Sequence, residues 1–113
     1  MPSAYCSLNL NKDFLRLYHR GKSCAKPALV VYAMKNRGGV CRVGITTSKK
    51  IGGAVARNRA RRVIRAALQS LLREQPLVGW DLVFVARSKT TRIKSTEAAV
   101  AMRDALVQLG VLK

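Results

Sequence analysis

The sequence predicts a single-domain α+β fold, an α/β sandwich with its elements in the order of about α-β-β-β-α-β-α. Three observations predict it. The chain has 113 residues, 49% of them hydrophobic, which is enough for one core and short for two. Three unbroken β-rich runs, Ala28 to Met34, Val40 to Thr46 and Trp80 to Ala86, are separated by turn residues or by helix-like segments. Between the second and third runs, apolar residues recur three and four positions apart, the period of a helix with one buried face.

The elements follow in order. Asn11 is positioned to cap a first helix, with Asp13 in the first turn, where a carboxylate complements the helix dipole; Phe14, Leu15, Leu17 and Tyr18 follow, and Gly21 ends it. The link Lys22 to Pro27 is basic and leaves room for a short extra strand before Ala28. Asn36-Arg37-Gly38-Gly39 reads as a turn, so the runs on either side of it are expected to pair as a hairpin. In the second run Cys41, Val43 and Ile45 alternate with Arg42, Gly44 and Thr46, the pattern of a strand with one wetter face. From Ala54 to about Arg73, a helix places Ala56, Ala60, Val63, Ile64, Ala67, Leu68 and Leu71 on one stripe, before Pro76 and Gly79 stop it. After the strand Trp80 to Ala86, Arg87 to Lys94 reads as a basic loop. Ser95 then opens a last helix, closed by Gly110.

Charge narrows the function. Lys and Arg number 22 against 5 Asp and Glu, a formal net charge of +17, and a folded domain with such a field favours a polyanion, nucleic acid above all. No apolar run approaches the 18 or so residues of a membrane span, and the opening stretch lacks the pattern of a secretory signal. No membrane partner and a cytoplasmic location are therefore expected. Cys6, Cys24 and Cys41 are odd in number and far apart, and His19 is the only histidine. Neither a disulfide framework nor a structural zinc site is supported, and reduced, mostly buried thiols are expected.

Seven of the basic residues fall between Lys49 and Arg65, with no acid among the seventeen residues of that segment. At about 100° per residue, Asn58, Arg61, Arg62 and Arg65 cluster opposite the apolar stripe, and Arg57 and Arg59 flank its edges. Arg57/Arg61 and Arg61/Arg65 are like-charge pairs at i,i+4, each costing a few tenths of a kcal/mol, so an anion from outside is needed to explain them. Guanidinium forks suit phosphate, and Gly52-Gly53 beside Lys49 and Lys50 lets a backbone come close at a helix N-terminus. Gly52-Gly53 does not continue into a nucleotide-binding loop, because no G-K-[ST] or G-x-G-x-x-G follows. The five acids are scattered and form no catalytic or metal-binding set, so no protein catalytic residues are expected. Phe14, Tyr18 and Tyr32 have two readings: stacking on unpaired bases, or ordinary packing of a helix on a sheet.

The block Arg42 to Arg65, R-V-G-I-T-T-S-K-K-I-G-G-A-V-A-R-N-R-A-R-R-V-I-R, resembles the signature of the bacterial ribonuclease P protein subunit. N-K-D-F-L-R-L-Y-H-R-G resembles the first helix of that family, and W-D-L-V-F-V-A-R with the last helix resembles its end, so the likeness covers nearly the whole chain, residues 1–113 as one RNA-binding domain. The resemblance implies a central mixed sheet with a left-handed β-α-β crossover around the arginine helix, where connection rules alone favour the right-handed form. It implies an accessory subunit, monomeric by itself, of the ribonucleoprotein that removes the 5′ leader of precursor tRNA. Hydrolysis is carried out by the catalytic RNA with Mg²⁺ held mainly by that RNA. It implies that Arg57, Asn58, Arg59, Arg61, Arg62 and Arg65, with Lys49 and Lys50, dock on the RNA subunit, and that Phe14, Tyr18 and Tyr32 line the leader cleft. Two departures stand out: Tyr5 to Asn11 carries no Lys or Arg, and Arg65 is followed by Ala66 rather than an acid. The alternative is a small basic ribosomal protein, a structural binder of rRNA. Helix-turn-helix DNA binding is disfavoured because the arginine helix lies between strands.

Overall fold

A computed structural model describes residues 5–8 and 10–112; part of the opening stretch read above for a signal, residues 1–4, lies outside it. Three helices pack on a five-stranded mixed sheet: β1 (Cys6–Ser7), α1 (Asn11–Arg20), β2 (Lys22–Ala25), β3 (Leu29–Lys35), β4 (Arg42–Thr46), α2 (Ala54–Glu74), β5 (Trp80–Ala86) and α3 (Ser95–Gln108). Single 3-10 turns at Lys49–Ile51 and Ser88–Arg92 precede α2 and α3. The strand order is β1-β4-β5-β3-β2.

The expected hairpin of the two first long strands does not form. β5 lies between them, antiparallel to β3 and parallel to β4. The reason is burial: Leu82, Val83 and Phe84 of β5 are fully buried, and a strand apolar on both faces belongs at the centre of a sheet. The turn at Asn36 to Gly39 therefore leads away from β3 instead of folding back on it, and α2 makes the crossover from β4 to β5. The short strand allowed for before Ala28 is β2, paired antiparallel with β3. The two-residue β1, parallel to β4, is too short to leave a periodic signal.

One sheet face carries the main core. Leu29 and Val31 of β3, Val43 of β4, and Leu82 and Phe84 of β5 meet Ile64, Leu68 and Leu71 of α2 and Met102 and Leu106 of α3. The predicted stripe of α2 is buried from Ala60 onwards, with Leu72 added; Ala56 is half-buried. On the opposite face α1 covers a smaller core of Leu8, Leu17 and Val83. The helix starts differ from expectation: Leu10 and Lys94, not Asn11 and Ser95, are the capping residues, and neither end has a side-chain cap. The basic loop is partly ordered as the Ser88–Arg92 turn around the buried Thr90, whose hydroxyl donates to Ala28 O and accepts from Arg87 N. The cysteines are free, but only Cys41 is buried; Cys24 is half-buried and Cys6 exposed. Burial, with the Asp81 charge nearby, pushes the Cys41 thiol up to about 11, which makes it unreactive.

A buried carboxylate fastens α1 to the sheet. Asp81 on β5 is 1% exposed and accepts from Arg42 Nε at 2.9 Å, Arg42 Nη2 at 2.6 Å and Asn36 Nδ2 at 2.7 Å. Asp13 of α1, also buried, accepts from Arg16 Nη2 at 2.9 Å and lies 3.7 Å from Arg42. Asp13 thus does more than complement the helix dipole. Burial pushes the Asp81 pKa up, but the hydrogen bonds from Arg42 and Asn36 and the charges of Arg42 and Arg16 outweigh it and hold it below the usual carboxylate value. A depressed pKa gives stability that is present above the unfolded carboxylate's pKa of about 4 and is lost as pH falls through the lower folded value. Asp81→Ala leaves Arg42 partly buried without its partner and is expected to cost about 3 kcal/mol in denaturant unfolding at neutral pH. The deficit should shrink as the wild type is titrated into acid.

Candidate nucleic-acid interface

The apolar stripe that seats α2 on the sheet turns its opposite side to solvent. Asn58, Arg62 and Arg65 are exposed and Arg61 is half-buried; with Val55 they line a concavity of about 460 Å³. Arg61 is held in place, donating from Nη1 to Asn58 Oδ1 at 2.9 Å and from Nη2 to Thr47 Oγ1 at 3.0 Å. Thr47 follows β4, so this guanidinium ties the helix face to the end of the sheet. Lys49 and Lys50 are exposed in the 3-10 turn before α2, and Gly52 between them and the helix takes φ of 141°, a conformation that suits glycine.

Arg57 and Arg59 leave this group, as their place at the edges of the stripe foretold. Arg59 donates from Nε to Thr91 O at 2.8 Å, which fastens the Ser88–Arg92 turn to α2. Arg57 is half-buried, and its Nε is buried with no acceptor among the described residues. Among the described residues, the ion pairs are those of Arg16 and Arg42 with Asp13 and Asp81, and Arg103 with Glu74. Among those residues, no cation from Lys49 to Arg65 is paired with a carboxylate.

The aromatic residues lie on the other face of the sheet. α1 crosses the row Gly44, Val83 and Tyr32, which are register partners on β4, β5 and β3. Gly44 has no side chain because Phe14 occupies its place: a Cβ there would collide with the edge of the ring. Tyr18 is 38% exposed and meets Tyr32 edge to face, centroids 4.9 Å apart at 74°. Phe14 and Tyr32 are half-buried, so packing and exposure are both true of this trio. The next row, Thr46, Val85 and Val30, is half-buried and forms an open floor beside α1. A hollow of about 190 Å³ brings Phe14, Tyr5 and Gly44 together with Arg61 and Arg65, so arginine face and aromatic groove meet at the β4 edge. The sequence did not reveal Thr47 or the orphaned Arg57 Nε, since neither the turn after β4 nor the depth of a guanidinium leaves a periodic signal.

A family model described as Ribonuclease P matches residues 3–110. The chain belongs to the bacterial ribonuclease P protein family. It is 41% identical over 95 residues to the ribonuclease P protein component of Clostridioides difficile (strain 630), covering 82% of this chain and 83% of that one. The structure superimposes on the RNase P protein of Staphylococcus aureus with a TM-score of 0.81 at 29% identity, covering 98% of this chain and 100% of the other. For the RNase P protein of Thermotoga maritima the TM-score is 0.76 at 28% identity, covering 95% and 97%. Superposition at this level preserves connectivity and hand, so the β4–α2–β5 crossover has the hand of the ribonuclease P protein fold. Ribonuclease P is an endoribonuclease of tRNA processing, and this chain is of the kind that forms its protein component.

The contact of Phe14 with Gly44 is testable. Gly44→Ala drives a methyl into the ring and is expected to destabilise the protein by about 1–3 kcal/mol in denaturant unfolding. Phe14→Leu in the same chain should recover part of the loss, because it removes the atoms that clash.

Proposed function

We propose that this chain is the protein subunit of the ribonuclease P ribonucleoprotein, binding the catalytic RNA and the 5′ leader of precursor tRNA. The observation that carries the reading is the α2 face, on which Asn58, Arg61, Arg62 and Arg65 surround a concavity and, among the described residues, no carboxylate is paired with any of its cations. Phosphates of the RNA subunit supply the missing charge, taken by the guanidinium forks of Arg61, Arg62 and Arg65 and by Lys49 and Lys50. Arg57 offers the end of its guanidinium to the same partner, and Arg59 holds the neighbouring turn in register while its remaining N–H groups face the RNA.

The leader enters the groove between α1 and the sheet. Its unpaired bases stack on Tyr18 and Tyr32, and Phe14 forms the wall next to Gly44. Because Arg61 borders both surfaces, a substrate strand in the groove and the RNA subunit on α2 are held side by side. The chemistry is the RNA's, with Mg²⁺ that would be held mainly by that RNA. Asp13 and Asp81 do not fit as metal ligands, since their oxygens are taken by Arg16, Arg42 and Asn36. The subunit belongs to the cytoplasm and is monomeric by itself before it joins the RNA.

Reconstitution tests the reading. Added to a bacterial ribonuclease P RNA at low Mg²⁺, the protein is expected to restore cleavage of precursor tRNA at the mature 5′ end. In that assembled enzyme Tyr18→Ala should raise the precursor concentration for half-maximal rate about tenfold, the worth of one stacked base, with assembly unchanged. No stimulation of the RNA, or copurification of the protein with rRNA in its place, would overturn the proposal in favour of a ribosomal role.

A further inference from the structure

α1 divides its face of the sheet in two. On one side is the open row of Thr46, Val85 and Val30; on the other is the row of Arg42, Asp81 and Met34. This second side is also concave and cationic. A cavity of about 500 Å³ is lined by Arg16, Arg37, Arg42 and Asp81 together with Met34 and Lys35. A neighbouring hollow of about 200 Å³ shares Met34 and Lys35 and adds Arg20, Lys22 and Trp80; Lys35 and Trp80 are register partners that alternate with Met34 and Asp81, so this hollow wraps from the α1 face around the β3 edge to the face of the main core. Pairing of β2 with β3 stops at Lys22 and Ala33, which leaves the β3 edge at Met34 and Lys35 bare beside this hollow.

The two carboxylates here are already committed to Arg16 and Arg42. Arg20, Lys22, Lys35 and Arg37 have no carboxylate partner among the described residues. Trp80 is half-buried, and the Lys35 ammonium lies 5.7 Å from its ring centroid. A ring face that a surface lysine head group reaches is also open to a flat ligand. A recess with one accessible indole ringed by cations has the composition of a single-strand site, in which a base stacks and phosphates pair. A duplex presents no unstacked base to such a recess.

We infer that this recess is a second site for single-stranded RNA, seating phosphates on Arg20, Lys22 and Arg37 and a base against Trp80 in place of Lys35. α1 separates it from the aromatic groove, so it takes a different stretch of RNA from the one bound there. It stands independently of the leader reading.

Trp80 is the only tryptophan, so its emission reports this site alone. The intact protein is titrated at low salt with an oligouridylate of about ten nucleotides, reading Trp80 fluorescence and, separately, the anisotropy of an end-labelled copy. The expected result is saturable quenching of Trp80, with the half-quenching concentration raised about tenfold in Arg20→Ala/Arg37→Ala. Both residues are exposed, and an unchanged melting temperature shows that the variant folds. Anisotropy that reports binding while Trp80 stays silent, a midpoint unmoved by the double variant, or equal quenching by an oligoglutamate would each overturn the inference. Loss of cleavage in reconstitution with quenching intact would sink the proposed function and leave this site standing.

Discussion

Five carboxylates serve twenty-two cations in this protein, and where those carboxylates are placed decides what the rest can do. Asp81 is the one in the deepest position. Buried at the start of the central strand, it accepts three hydrogen bonds from Arg42 and Asn36, and through Arg42 and Arg16 it is joined to Asp13 on α1. Buried charges are tolerable only when paired and hydrogen-bonded, so this network fixes α1 against the sheet at one end of its track. Glu74 pairs with Arg103 where α2 meets α3. With these contacts made at the sheet end and at the far end of α2, the first half of α2 is left entirely positive.

The uncompensated face is thus a consequence of distribution rather than of composition alone. Repulsion among Arg57, Arg61 and Arg65 is tolerated because the opposite stripe, from Ala60 to Leu72, is buried in the main core. The hydrophobic side holds the helix while the charged side waits for phosphate. Arg61 then has a particular place: its bonds to Asn58 and Thr47 orient one guanidinium between the RNA-facing helix and the groove of Phe14, Tyr18 and Tyr32. A rigid sheet carries both surfaces, so their spacing is set before any RNA binds, which limits the ordering cost of association.

Much of this was legible in the sequence, for local reasons. α2 announced itself through its 3.6-residue period, and the separation of Arg61, Arg62 and Arg65 from Arg57 and Arg59 follows from the same rotation per residue. The motif from Arg42 to Arg65 also identified the family. Illegible were the features that depend on distant partners. The insertion of β5 between β3 and β4 overturned the hairpin, because adjacency in sequence says nothing of which strand is apolar on both faces and must lie centrally. The caps at Asn11 and Ser95 were displaced by one residue, a shift within the ordinary uncertainty of helix ends. The link between Arg42 and Asp81 spans 39 residues and has no periodic trace. Gly44 looked like one member of an alternating strand, and only the position of Phe14 explains why no side chain stands there.

The central claim is that the α2 cations find their counter-charge in the phosphates of an RNA partner. The most direct measurement is the salt dependence of binding to ribonuclease P RNA, taken for the wild type and for Arg61→Ala/Arg62→Ala/Arg65→Ala. Each phosphate contact contributes roughly 0.7–0.9 to the slope of log K against log salt. The account predicts a steep wild-type slope that becomes shallower by about two to three in the triple variant. Equal slopes for the two proteins would contradict it.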